Sequence, residues 1–177
     1  MIEGEAQRRE FSRVGAYIPF EYRLVSDDGL DHIKARIYGD TASTELKPIP
    51  EMGDHDHVSN EWLKILNLKL DTIIRLMTLQ REGFFGLPYK SVNISGGGLS
   101  FLLPQAIAPG SILEIKLMLN RNRPVAMCIY GEVVKSVRRD SSYLIAVRYI
   151  HMDLSVQDEI VRYVFERERE IIREKRG

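Results

Sequence analysis

The second half of the chain alternates apolar and polar residues, and this pattern constrains the fold more than any other feature. From Tyr89 onward the sequence contains KSVNISGGGLSFLLP, SILEIKLML, VAMCIYGEVVKSV and SYLIAVRYIHM. Turn-forming residues separate these stretches at 109–110, 120–124 and 139–142. A period of two with turns at this spacing is typical of short antiparallel strands. We therefore predict a mainly β fold with added α, in the form of an antiparallel barrel or a sandwich.

Two further strands are predicted in the first quarter of the chain. Residues 16–25, AYIPFEYRLV, are rich in aromatic and β-branched residues, and Pro19 within them indicates an edge position or a bulge. A shorter strand is expected near IKARIYG. Residues 40–57 contain prolines, a glycine and the run DHDH, and we expect them to form a loop.

Two helices are predicted, one in the middle of the chain and one at its end. Residues 59–82 contain neither proline nor glycine, with Ser59 as a suitable N-cap. Gly83 suits the left-handed residue that follows a helix, and Phe84 could then pack back on Leu79. The second helix is expected over residues 155–176, where Ser155 and Asp158 match a capping box.

The long central helix carries an apolar seam with alternating spacings of three and four, which is typical of a coiled coil. The seam residues are Leu63, Leu66, Leu70, Ile73 and Met77, and the flanking residues Ile65, Leu68, Ile74, Leu76 and Leu79 widen the surface. Two interpretations are open: the surface packs on the parent domain, or it joins copies of this chain. With only about two and a half heptads, the seam would need help from other contacts.

The composition limits the partners and the compartment. Lys+Arg and Asp+Glu number 25 each, so the chain lacks the net positive field that drives non-specific nucleic-acid binding. A small barrel that binds single-stranded nucleic acid is disfavoured on that ground. The single Cys128 lies in an apolar run and indicates a buried thiol in a reducing compartment. The N-terminus has no apolar signal region, and no apolar run approaches about 20 residues, so we expect a soluble cytoplasmic protein without membrane insertion.

Enzymatic and metal-binding interpretations find little support in the sequence. The glycine-rich stretch lacks the Lys-Ser/Thr of a phosphate-binding P-loop, and Phe101 stands where a dinucleotide fingerprint needs glycine. No Ser/His/Asp or Cys/His set is evident. We interpret the DHDH run at residues 54–57 as a solvated linker rather than a metal site. We therefore expect no catalytic residues, no metal and no cofactor.

The stretch VNISGGGLSF, residues 92–101, contains a change of parity. Its apolar residues occupy even positions before the glycines and odd positions after them. The period of two therefore slips by one, which predicts a bulge or a sharp turn. We expect glycine here because the backbone must adopt angles that a Cβ forbids.

Two short motifs are informative when they are considered together. RREFSR near the N-terminus contains Arg-x-x-x-Arg, and NISGGG contains Asn-x-Ser-x-x-Gly. This ordered pair, on an arm and on a barrel strand, resembles the PilZ domain, a bacterial receptor for the second messenger cyclic di-GMP. The resemblance implies a single PilZ-like antiparallel barrel over residues 1–177 with a flexible ligand-binding arm at 1–15. Residues 54–84 resemble the inserted helix of an atypical subgroup that assembles through it, in some members as a tetramer.

The resemblance also implies a set of ligand-binding residues. Arg9 and Arg13 would grip guanine and phosphate from the arm, while Asn93, Ser95 and Gly98 would form the barrel wall. Arg8, just before the motif, tends in this family to accompany binding of a stacked ligand dimer. The expected partners are cyclic di-GMP, further copies of the chain and a downstream protein. The alternative is an oligomeric adaptor that binds no ligand, with the arginines forming solvated ion pairs.

Overall fold

The computed structural model describes residues 11–26, 33–38, 57–120 and 124–176. In these parts of the chain two strands precede a long helix, five strands follow it, and a second helix comes last. The strands are β1 (Arg13–Leu24), β2 (Arg36–Tyr38), β3 (Tyr89–Ser95), β4 (Gly98–Leu103), β5 (Ile112–Asn120), β6 (Pro124–Arg139) and β7 (Ser142–Ile150). The helices are α1 (His57–Arg81) and α2 (Leu154–Glu174), and a short 3-10 turn covers Phe84–Gly86. Of the DHDH run, only the backbone of His57 belongs to the described residues.

The strands form a closed antiparallel barrel, so the barrel prediction is confirmed over the sandwich. Their order is β2-β6-β5-β1-β3-β4-β7, and an additional pairing of β6 with β7 closes a ring of six strands. The short β2 lies outside the ring, where it pairs with the beginning of β6. Closure removes the exposed edges that an open sheet would leave at β6 and β7.

Strand β1 changes partner halfway along its length. Up to Pro19 it pairs with β3, and from Phe20 it pairs with β5. Pro19, which lacks an N–H donor, therefore lies where the strand passes from one neighbour to the other. Pro19 has a register partner on β3 only, because the pairing with β5 begins at Phe20, so one side of this residue is unpaired, as the predicted edge position requires.

The barrel interior and one end of it form the main core. The inward side chains of the strands are almost fully buried, as shown by Phe20, Ile94, Ile115 and Ile145 at 0% exposed. Helix α2 adds its apolar face to the same cluster through Val156, Ile160, Tyr163 and Val164. The C-terminal helix is therefore part of the core rather than an appendage.

Both predicted helices are present, but their N-terminal caps differ from the prediction. Helix α1 begins at His57, so Ser59 lies inside its first turn and is not the N-cap. Helix α2 begins at Leu154 with Asp153 in the N-cap position, which makes the predicted capping box of Ser155 and Asp158 wrong. The Asp153 side chain makes no capping bond and instead lies 3.8 Å from the Lys34 ammonium.

The C-terminal end of α1 agrees with the prediction. Gly83 has a left-handed φ of 79°, and its N–H donates to the Gln80 carbonyl at 3.0 Å. Leu79 and Phe84 are each 1% exposed and share a second apolar cluster with Met118 of β5 and Ala126 of β6. Nowhere in the described part of the chain is a helix long and apolar enough to cross a membrane.

The buried thiol of Cys128 provides a test of the β6 position. Burial raises its pKa to about 11, and the nearby carboxylate of Glu114 acts in the same direction. About one thiol in a thousand would be ionised at pH 8, so we expect labelling by a thiol reagent to be far slower in the native protein than in denaturant. Labelling at the denatured rate would contradict this burial.

The same shift has a defined effect on stability. The fold favours the protonated thiol of Cys128, and this contributes to the free energy of unfolding. The contribution is fully present below pH 9.0, the ordinary pKa of the thiol, and is lost as the pH rises through about 11, its pKa in the folded protein.

Candidate functional site

The Asn-x-Ser-x-x-Gly motif forms the hairpin between β3 and β4. Ser95 pairs directly with Gly98, which leaves Gly96 and Gly97 as a two-residue turn. Ile94 then lies opposite Leu99, and both point into the barrel. The change of parity in the sequence is therefore produced by a sharp turn, one of the two predicted alternatives.

The reason for the glycines differs from the prediction. Among the described residues, the glycines with positive φ are Gly83 and Gly110, so none of the three motif glycines needs a left-handed backbone. The requirement is space: a Cβ on Gly98 would overlap the backbone carbonyl oxygen of Val147 on β7. A Cβ on Gly96 would lie 2.6 Å from the Phe11 ring and 2.7 Å from the Val161 side chain. Glycine is required here for close approach rather than for backbone angles.

The glycine turn is held from two further directions. The backbone N–H of Tyr149 donates to the Gly97 carbonyl at 3.1 Å. The Gln157 side-chain amide of α2 donates to the Gly96 carbonyl at 3.0 Å. Both turn carbonyls are thus hydrogen bonded to neighbouring elements, which fixes the hairpin relative to β7 and α2.

The base of the predicted arm also contacts this turn. Phe11 lies over Gly96 and Gly97, and the Ser12 hydroxyl donates to the Glu168 carboxylate of α2 at 2.9 Å. Strand β1 begins at Arg13, so residues 13–15 of the predicted arm belong to the barrel. Arg8 and Arg9 lie outside the described residues.

The structure brings the remaining motif residues together on the outer face of the barrel. Arg13 is the register partner of Ser95, and Gly15 is the register partner of Asn93. Because Val14 and Ile94 between them point inward, the side chains of Arg13 and Asn93 point outward, and both are exposed. A Cβ on Gly15 would meet nothing within 4 Å, so open space lies between Arg13 and the next outward residue, Tyr17.

Ser95 has a different character from its neighbours in the motif. It is 4% exposed, and its hydroxyl donates to the Gly98 carbonyl at 2.9 Å. Its donor therefore closes the hairpin, whereas the guanidinium of Arg13 and the amide of Asn93 face the solvent. Sequence reasoning missed Phe11 and Gln157, although an aromatic residue between two arginines of a polar arm was a visible signal for Phe11.

A second polar group lies further along the outer face of the barrel, near β5. Glu114 accepts a hydrogen bond from the Tyr130 hydroxyl at 2.9 Å and pairs with the Arg23 guanidinium at 2.8 Å. The hydrogen bond that the Arg23 guanidinium donates to Glu114, together with the negative charge of Glu114, raises the pKa of Arg23. A cleft of about 300 Å³ beside them is lined by Glu21, Tyr22 and Lys116 in addition to Arg23 and Glu114. Acids balance its cations, so we do not assign an anionic ligand to it.

Helix α1 presents a broad apolar surface to solvent. Ten of its large apolar side chains are between 38% and 66% exposed, namely Trp62, Leu63, Ile65, Leu66, Leu68, Leu70, Ile73, Ile74, Leu76 and Met77. The interpretation that the seam packs on the parent domain is therefore wrong. The physical reason is that, among the described residues, the buried apolar residue of α1 is Leu79 at its C-terminal end, which packs with Phe84, Met118 and Ala126.

The arrangement of these side chains around α1 separates two faces. At 100° per residue, the predicted seam is centred about 160° away from Leu79. All but Leu68 of the ten exposed residues lie within about half of the circumference. Contiguous apolar surface of this extent is rare on a soluble monomer and is typical of an interaction site.

Comparisons with known proteins agree with this architecture. A family model described as the PilZ domain matches residues 69–166, more than half of the chain. The fold is similar to a crystal structure of a pathogenic protein from Xanthomonas campestris, described as a tetrameric PilZ domain self-assembled via an unusual helical bundle. That likeness has a TM-score of 0.59 at 17% sequence identity and covers 92% of this chain and 91% of that chain. A comparison with curated proteins finds no match.

The close approach at Gly98 predicts a stability effect that does not involve any ligand. We expect Gly98→Ala to lower the free energy of unfolding by about 1–3 kcal/mol, because its Cβ would push β4 away from the β7 backbone. Gly15→Ala is the matched control, since it adds the same methyl group to open space on β1. Urea unfolding of both variants measures the difference. Equal stability of the two variants would contradict the packing role of Gly98.

Proposed function

The chain belongs to the PilZ domain family, and we propose that it is a non-catalytic receptor for cyclic di-GMP. The observation that carries this proposal is the register of β1 with β3, which sets Arg13 opposite Ser95 and Gly15 opposite Asn93. An arginine and an amide thus share an exposed patch beside a position without a side chain. Arg8, Arg9, Arg13, Asn93, Ser95 and Gly98 are the proposed ligand-binding residues.

The chemistry of this patch matches a guanine dinucleotide. An arginine fork can pair bidentately with a phosphate or with the O6/N7 edge of guanine, and it can stack on a base. The Asn93 amide offers both a donor and an acceptor beside it. The space at Gly15 would let a planar base approach the strand backbone.

In this proposal Ser95 and Gly98 act mainly through the hairpin. Ser95 is buried and bound to the Gly98 carbonyl, and Gly98 keeps β4 against β7. They hold Asn93 and the turn in place, whereas Asn93 and the arginines would make the exposed contacts.

The expected affinity follows from opposing contributions of similar size. Charge-assisted hydrogen bonds contribute about 1.5–3 kcal/mol each, and ordering the predicted arm costs about 1–2 kcal/mol per residue. We therefore expect a dissociation constant near micromolar, which corresponds to a binding free energy of about −8 kcal/mol. Binding of this strength is reversible, and the change in arm conformation would be the output offered to a downstream protein.

Titration calorimetry with cyclic di-GMP tests the receptor proposal. We expect wild type to bind, and we expect Arg13→Ala and Arg9→Ala each to weaken binding about tenfold or more through loss of charge-assisted bonds. Arg139→Ala is the control, because Arg139 is an exposed arginine at the far end of β6. Absence of wild-type binding, or equal binding by all the arginine variants, would refute the proposal.

We further propose that copies of the chain assemble through α1. The supporting observation is the exposed apolar surface, which extends well beyond the seam of Leu63, Leu66, Leu70, Ile73 and Met77. A two-stranded coiled coil buries a narrow stripe, whereas an apolar half-circumference suits a helix with two neighbours, as in a four-helix bundle. The assembly described for the similar Xanthomonas campestris protein is consistent with this arrangement.

The alternative function is an oligomeric adaptor that acts by protein–protein interaction and binds no ligand. It shares the α1 assembly with the receptor proposal and differs only at the hairpin face. The two proposals are therefore separated by the calorimetry above and not by the oligomeric state.

Light scattering after size exclusion tests the assembly. We expect wild type to show a multiple of the 20.4 kDa chain mass and the double variant Leu66→Asp, Ile73→Asp to show a single chain, because two carboxylates on the seam would be buried unpaired. Thr72→Asp is the control, since Thr72 is exposed on the opposite side of the helix. A wild-type monomer, or a double variant of wild-type mass, would contradict assembly through α1.

A further inference from the structure

Four strands line up their outward residues in one row across the hairpin. Arg13 of β1 pairs with Ser95 of β3, Ser95 pairs with Gly98 of β4, and Gly98 pairs with Arg148 of β7. Directly paired residues share a face of the sheet, and the neighbouring pair of Leu99 and Val147 is buried inside. Arg148 and Arg13 therefore stand at the two ends of the same outer row.

The two middle positions of this row do not project into the solvent. Ser95 is buried with its hydroxyl bound to the Gly98 carbonyl, and Gly98 has no side chain. With strands about 4.8 Å apart, the Cα atoms of the two arginines are roughly 14 Å apart. Two long guanidinium side chains thus flank a low floor, and Phe11 borders that floor at the glycine turn.

Arg148 is restrained by one acidic neighbour. Its side chain is 65% exposed, and its Nη2 lies 2.6 Å from the Glu132 carboxylate oxygen on β6. Glu132 is also its register partner, so the pair lies at the outer end of the same row. An exposed pair of this kind contributes little to folding stability, which allows an anionic ligand to replace the carboxylate.

We propose that Arg148 is a further ligand-binding residue, which contacts cyclic di-GMP from the β7 side while Arg13 contacts it from the β1 side. The inference rests on the proposed receptor function. Cyclic di-GMP has two phosphates and two guanines, so a site with an arginine at each end of a flat floor matches its duplicated groups. In the absence of ligand, Arg148 forms its ion pair with Glu132. On binding, a phosphate or a guanine edge of the ligand replaces Glu132 as the partner of the Arg148 guanidinium.

Calorimetry with cyclic di-GMP on the full chain tests this assignment with three variants. Arg148→Ala is expected to bind about tenfold more weakly than wild type. Glu132→Gln is expected to bind more tightly by a few-fold, because it releases the guanidinium without removing it. Arg139→Ala is the matched control on the neighbouring strand, since its partner Ser142 lies about 20 Å along β7 from Arg148.

The outcomes separate this inference from the proposed function. No binding by wild type would refute the receptor proposal and this inference with it. Wild-type binding that Arg13→Ala weakens and Arg148→Ala leaves unchanged would overturn only the role of Arg148. If Arg148→Ala melts at a lower temperature without ligand, Glu132→Gln decides the matter. A purely structural ion pair predicts unchanged or weaker binding for Glu132→Gln, and either result would overturn the inference.

Discussion

The close approach of β4 to β7 at Gly98 is the contact on which the rest of the barrel face depends. Because Gly98 has no Cβ, its backbone can lie against the Val147 carbonyl, and β4 can continue pairing along β7. The β4–β7 pairing connects β3 and β4 to β7, and the pairing of β7 with β6 then closes the ring. The same approach sets the height of the outer floor between the two arginines. The glycine of the motif is therefore a structural requirement of closure before it is a requirement of any ligand.

The glycine turn also links the predicted arm to α2. Phe11 and Val161 both lie close to Gly96 at the turn. Ser12 donates a hydrogen bond to Glu168, and Gln157 donates one to the Gly96 carbonyl. Arg13 follows Phe11 by two residues, on the strand that carries the proposed ligand contacts. In the proposed receptor, a ligand that pulls on Arg13 would change the packing of Phe11 and hence the outer surface of α2. Such coupling needs only neighbouring contacts and no rearrangement of the barrel.

Local patterns in the sequence predict the elements of this fold well and their tertiary reasons poorly. Three predictions depend only on residues close together in the sequence, and all are confirmed: the strands with their period of two, the long helix and the role of Gly83. Both helices begin before the predicted N-cap residues, because the exact first residue of a helix has little local signal in the sequence. The reason for Gly98 lies 49 residues away at Val147, beyond the reach of any local pattern. The motif residues could be predicted from the family resemblance, whereas the place of Arg148 is defined only by strand register.

The proposed ligand face and the proposed assembly face occupy different parts of the barrel. Helix α1 is anchored at β5 and β6 through Met118 and Ala126, whereas the arginine row crosses β1, β3, β4 and β7. The Lys116 ammonium adds to this anchor by donating to the Glu82 carbonyl at the end of the helix. The apolar half of α1 faces away from the side of the helix on which Leu79 is buried. Copies of the chain could therefore join through α1 without covering the hairpin. Assembly would then raise the number of ligand sites per particle while leaving each site open, and a loss of ligand binding need not affect assembly.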